Sequence, residues 1–112
     1  MKISTGPDHR VLADALRRRV LEGPAETPPA LRQASAARSA GGPAAAAPYD
    51  DLARQIGEAA HRVTDAQVSS VLMATGSEKA TFEIIAAAAL GVGLSRWDQA
   101  MNVLDEVTDA SA

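Results

Sequence analysis

Three side chains equipped for chemistry fall within one short span of this sequence: His61, Thr64 and Glu83. An imidazole titrates near neutrality and can take a proton as a general base. His61 closes an amphipathic stretch that begins at Tyr49, where a histidine near a helix C-terminus is also mildly stabilising, so a structural and a proton-transfer role are both open. Glu83 sits between Phe82 and Ile84 in the most apolar stretch of the chain. An ionised group there needs a partner, for which Arg62 or Arg96 is available; otherwise its pKa rises and it becomes a site carboxylate.

The remaining inventory excludes more than it offers. Cysteine is absent, which closes disulfide, thiolate-metal and cysteine redox chemistry. His9 is the one other histidine, and no two histidines share a helical face with a carboxylate, so neither a metal site nor a cofactor is expected. Gly91-Val92-Gly93 would need its third glycine at Arg96 to complete a dinucleotide fingerprint, and no strand precedes it; it reads as a helix–helix corner. Ser69, Ser70 and Ser95 lie in nothing like a nucleophile elbow.

The elements that must position these residues read as helices throughout. Leu12, Leu16 and Val20 recur every four residues up to a stop at Gly23-Pro24. A second helix starts near Thr27-Pro28-Pro29 and runs to about Arg38. Residues 1–38 thus form an N-terminal helical segment, 39–48 (SAGGPAAAAP) a linker, 49–108 a helical core and 109–112 a frayed tail. Within the core, Leu52, Ile56, Ala59, Ala60 and Val63 share one face. Thr64 with Gln67 fits a capping box. Val68, Val71 and Leu72 line the next helix, which Gly76 closes as a left-handed cap. Ser77 caps a third, with Phe82, Ile85, Ala86, Ala89 and Leu90 inward, and Ser95 begins a last helix bearing Trp97, Ala100, Met101, Leu104 and Val107. Met73 and Met101 read as core.

Composition presses on this picture. Alanine fills 25 positions, against 22 for Leu, Ile, Val and Phe together. A buried methylene is worth about 0.8 kcal/mol, so an alanine-built core stabilises less per residue than a leucine-built one. A chain so short of bulk is expected to associate, most simply with copies of itself. Alanines 86 to 89 cover every side of one turn, which predicts a central helix approached closely by its neighbours, one flank facing another subunit. Residues 1–48 carry a formal +3 and residues 49–112 a formal −6. The acidic half argues against a nucleic-acid surface. Arg17-Arg18-Arg19 reads as a solvated helix face, or as part of a docking surface over residues 10–20. Met1–Arg10 lacks the apolar core of a signal peptide, and the longest apolar run, Ile84–Leu94, is too short to span a bilayer. A cytoplasmic protein without a membrane segment is expected.

The stretch VTDAQVSSVLMATGSEKATFEIIAAAALGVGLSRWDQAMNVL resembles the carboxymuconolactone decarboxylase and alkylhydroperoxidase AhpD-like family. The order carrying the likeness is a helix, Gly-Ser-Glu, Phe-Glu-Ile with an alanine-rich helix, a Gly-x-Gly corner and a closing helix, over Tyr49 to Glu106. LEGPAETPPALRQA also resembles the lead-in of small, mostly bacterial members. The resemblance implies an all-α, AhpD-like helical bundle assembled as a trimer or hexamer. Redox-active members carry Cys-x-x-Cys with a histidine just beyond. Counted back from Gly76, those positions fall near His61, Thr64 and Val68, so thiol-dependent peroxide reduction is closed to this chain. What the resemblance leaves is an oligomeric accessory or interaction subunit with a possible protein partner, or a small acid–base enzyme or ligand-binding protein in which His61, Thr64 and Glu83 would line the family's pocket, with His61 as general base for a proton-transfer or decarboxylation step.

Overall fold

The computed structural model describes residues 8–111. Among these it is all-helical, with five α-helices and no strand: α1 His9–Glu22, α2 Pro29–Ser39, α3 Tyr49–Ala59, α4 Asp65–Thr75 and α5 Glu78–Ser111, with a 3₁₀ turn at Ala60–Arg62 between α3 and α4. The absence of a signal peptide was read from a segment that includes residues 1–7, which lie outside the described residues, as does Ala112.

Local chemistry sets most of the boundaries. Asp8 caps α1, its Oδ1 accepting from Arg10 N at 2.9 Å. Gly23 closes the helix with its N–H on the Arg19 carbonyl. Pro29 opens α2, where its fixed φ suits the first turn and its missing N–H costs nothing. The capping box is complete: Thr64 Oγ1 accepts from Gln67 N, and Gln67 Oε1 accepts from Thr64 N. Gly76 ends α4 at φ 75°, a left-handed conformation that costs glycine little. Ser77 Oγ accepts from Ala80 N at 3.0 Å and starts α5.

α5 is the axis of the fold, and all four other α-helices pack on it. Its inner face is Ala80, Ile84, Ala87, Ala88 and Gly91, a stripe at helical spacing. With Leu52, Ala53, Ile56 and Val71, the residues Ile84 and Ala88 form the core cluster. The alanines are therefore crowded by this chain's own helices, while Ala89 faces solvent.

The corner expected at Gly91-Val92-Gly93 does not exist, since α5 runs unbroken for 34 residues. Gly91 serves a crossing instead. A Cβ there would meet the Ala36 carbonyl oxygen at 2.3 Å. Three residues further along the same buried face of α2, a Cβ at Gly57 would meet the Ser39 oxygen at 2.0 Å. α2 thus lays one face of its backbone directly on α3 and α5, presenting only Arg32, Ser35, Ala36 and Ser39 as buried side chains. Ser39 Oγ lies 2.6 Å from the Ala88 carbonyl and 2.9 Å from that of Ala36, so a hydroxyl bonds across the seam.

Other expectations fail for reasons of phase and length. Phe82 stands two residues from Ala80, on the far side of α5, and is 67% exposed. Met73 is 85% exposed at the end of α4 rather than core. Leu104 and Val107 are exposed because α5 outruns the bundle, and the tail read as frayed is helical through Ser111. The loop between α2 and α3 is tied down by Asp50. Its Oδ1 accepts from Ala45 N at 2.8 Å and lies 2.8 Å from Arg38 Nε as an ion pair.

A pair of glycine substitutions tests the close approach. Gly91→Ala should destabilise the fold by about 2 kcal/mol or more, because the methyl overlaps α2 backbone. Gly93→Ala, whose Cβ meets nothing within 4 Å, should stabilise it by about 0.5–1 kcal/mol through helix propensity. Urea denaturation followed by circular dichroism reads both; equal effects at the two positions would remove the crossing as the reason for Gly91.

Candidate functional site

His61, Thr64 and Glu83 occupy three different settings. His61 lies exposed in the 3₁₀ turn. Among the described residues it makes no hydrogen bond or ion pair, so nothing orients its ring. Thr64 spends its hydroxyl and N–H on the capping box, at the rim of an open hollow of about 290 Å³ shared with Asp51, Gln67 and Ser70. Arg54, and then Gln67 through a 3.1 Å hydrogen bond, hold the Asp51 carboxyl below the usual range.

Glu83 reaches neither Arg62 nor Arg96. Its carboxylate accepts from Glu26 N at 3.0 Å, Thr27 N at 2.8 Å and Thr27 Oγ1 at 2.8 Å. Desolvation alone would raise its pKa. Three donated hydrogen bonds and the charge of Lys79 outweigh that, and the group is held below the ordinary glutamate value. The raised pKa wanted of a site acid is therefore not found. A carboxylate saturated by backbone donors is a poor proton acceptor and a good clamp. No hydrogen bond or ion pair joins His61, Thr64 and Glu83 to one another among the described residues.

The clamp belongs to a larger polar clasp that sequence reasoning missed. Arg32, 2% exposed, donates to the carbonyls of Val20, Gly23 (2.7 Å) and Thr27 (3.4 Å). It thereby occupies the negative end of α1 and the loop that Glu83 grips from the other side. Ser77 Oγ reaches Glu26 Oε2 at 2.6 Å, tying that loop to the start of α5. The one sequence signal was an arginine set among alanines on the buried side of a short helix.

A second cleft, of about 310 Å³, opens where α2, α3 and α5 meet, and it gathers Arg38, Arg54 and Arg96. Each guanidinium is engaged: Arg38 with Asp50, Arg54 with Asp51 and Glu58, Arg96 with the Gly57 carbonyl. Asp50, Asp51 and Glu58 thus offset the charge of Arg38 and Arg54, while Arg96 is held by a carbonyl. Among the described residues no three His, Cys, Asp or Glu side chains gather as a metal would require, and no helix is long and apolar enough to cross a membrane. Compared with protein-family models, with curated proteins and with solved structures, the chain matches none.

Replacing Glu83 tests the clamp. Glu83→Ala strands the Thr27 hydroxyl and two backbone donors and should cost about 1–3 kcal/mol of stability, with Glu83→Gln costing less because one acceptor remains. The folded-state pKa lies below the unfolded one, so the carboxylate's contribution is full above the unfolded value of about 4.3 and is lost as pH falls through the folded value. Urea midpoints from pH 7 to 3 should show the gap between wild type and Glu83→Gln closing toward acid. A gap that widens would mean that Glu83 is held protonated.

Proposed function

We propose that this chain is a cysteine-free, AhpD-like helical protein that serves in the cytoplasm as an oligomeric accessory or interaction subunit, without thiol peroxidase chemistry. The observation carrying the reading is the allocation of side chains. Thr64 and Glu83 are committed to capping and clamping and His61 stands open and unsupported, while Leu12, Leu16, Phe82, Met73 and Leu104 remain exposed. A general base needs an orienting partner and a pocket that holds substrate within hydrogen-bond reach, and His61 has no such partner among the described residues. The family resemblance supplies the expectation of a trimer or hexamer, and the uncovered apolar surface supports association.

The reading predicts that light scattering returns a multiple of the 11.5 kDa chain mass. His61→Ala should leave that mass, the helical circular dichroism and the thermal midpoint unchanged, and wild-type protein should consume peroxide no faster than buffer. A monomer at every concentration would overturn the assembly, and catalytic turnover lost in His61→Ala would restore the acid–base alternative.

A further inference from the structure

α1 lies over the side of α5 that carries Leu94, Trp97 and Met101, three and four residues apart and all half-buried. Two ion pairs, Arg10–Asp105 and Arg17–Asp98, join the helices. They set the pair antiparallel, because seven residues forward on α1 correspond to seven back on α5. The packing beneath them is incomplete. Trp97 lines a hollow of about 350 Å³ with Leu12, Ala13 and Leu16 on one flank of α1, and another of about 290 Å³ with Arg10 and Asp14 on the other flank. No residue of α1 is buried, and Leu12 and Leu16 keep 51% and 47% of their surface in water.

The two ends of α1 are held differently. At its last turn and just beyond, the buried Arg32 donates to the carbonyls of Val20 and Gly23, and Gln33 Nε2 donates to that of Leu21 at 3.4 Å. Ahead of that anchor, over residues 9–19, the two ion pairs are the only polar bonds that reach another element among the described residues. Both pairs are open to water, with side-chain exposures of 50% and 53% in one and 35% and 51% in the other.

Each of these features weakens the docking. Exposed ion pairs contribute little and are screened by salt. A hollow removes the neighbouring atoms from which dispersion attraction comes. A 14-residue helix is marginal in isolation, so α1 depends on contacts that are themselves weak. The first half of α5, by contrast, is held by Ile84, Ala87 and Ala88, all fully buried. We infer that His9–Arg19 is a salt-released strap on α5. Its two ion pairs latch it over Leu94, Trp97 and Met101. Screening or breaking them frees the segment as a unit about its anchored last turn and uncovers that apolar stripe, while α2 to α5 stay folded. The strap thereby sets how much apolar surface α5 presents, in a single chain and in an assembly alike.

Native-state hydrogen exchange on the full chain tests this, with the fluorescence of Trp97, its single tryptophan, as a second readout. Amides of residues 12–19 should exchange at least about a hundredfold faster than those of residues 84–91. Raising sodium chloride from about 0.01 M to 1 M shortens the Debye length from about 30 Å to about 3 Å. Exchange over residues 12–19 should then quicken severalfold and Trp97 emission should move to the red, with residues 84–91 unchanged. Arg10→Glu/Arg17→Glu should release the strap at low salt. Asp98→Arg/Asp105→Arg in the same chain should latch it again, a rescue that a general loss of helix would not give. Equal protection over residues 12–19 and 84–91 would mean that α1 opens only with the whole fold and would overturn the strap. Fast exchange that neither salt nor the charge reversal alters, or a reversal without rescue, would overturn the ion pairs as its latch.

Discussion

The close approach of α2 to its neighbours governs this fold. With Gly57 on α3 and Gly91 on α5, the backbone of α2 sits where any side chain would collide with the Ser39 or Ala36 carbonyl. Close approach maximises the number of atoms at van der Waals distance, and such contacts are individually small and collectively large. It also lets Ser39 Oγ reach the Ala88 carbonyl across the seam. Alanine is therefore not a weak substitute for leucine at Ala36, Ala53, Ala87 and Ala88. The close approach accounts for the alanines that α5 turns inward, Ala87 and Ala88, whereas Ala86 is half-buried and Ala89 exposed.

A core so thin in bulk places unusual weight on polar groups. Among the described residues, Leu52, Ile84 and Val71 are the only large apolar side chains fully removed from water. At the end of the bundle where the α1–α2 loop meets α5, the gap is closed by Arg32 on three carbonyls and by Glu83 on three donors. Cation and carboxylate never touch. Each satisfies backbone groups left over by helix ends and a turn, so the loop is held from both sides without a direct ion pair. The donors that secure the loop also stabilise the ionised form of Glu83.

What could be read from the sequence was what short-range chemistry decides. The Thr64–Gln67 box, the left-handed Gly76, the Ser77 cap and the stop at Gly23 each depend on residues within four positions, and each is found where expected. Gly91-Val92-Gly93 was misread because glycine serves a turn and a close crossing equally well. The deciding atom belongs to Ala36, 55 positions earlier. The arginine partner expected for Glu83 fails for the same reason, since its partners are the main-chain donors of Glu26 and the buried Thr27, which carry no signature of their own. Phe82 and Met73 failed on phase: hydrophobic identity marks a residue for burial only when it falls on the face the neighbouring helices occupy.

The long α5 joins the two regimes of the molecule. Its first half is gripped on several sides and pays the cost of nucleation, after which each further residue adds a hydrogen bond at little entropic cost. That cooperativity carries the helix past the bundle, through two glycines and into a stretch where nearly every residue is exposed. Along that projecting half the chain's own contacts include two ion pairs from α1, the Arg96 bond to the Gly57 carbonyl and the half-buried Trp97 and Met101. Rigidity is thus produced at one end of the helix and apolar surface presented at the other, so a partner would meet a surface already ordered and the ordering entropy of association would be small.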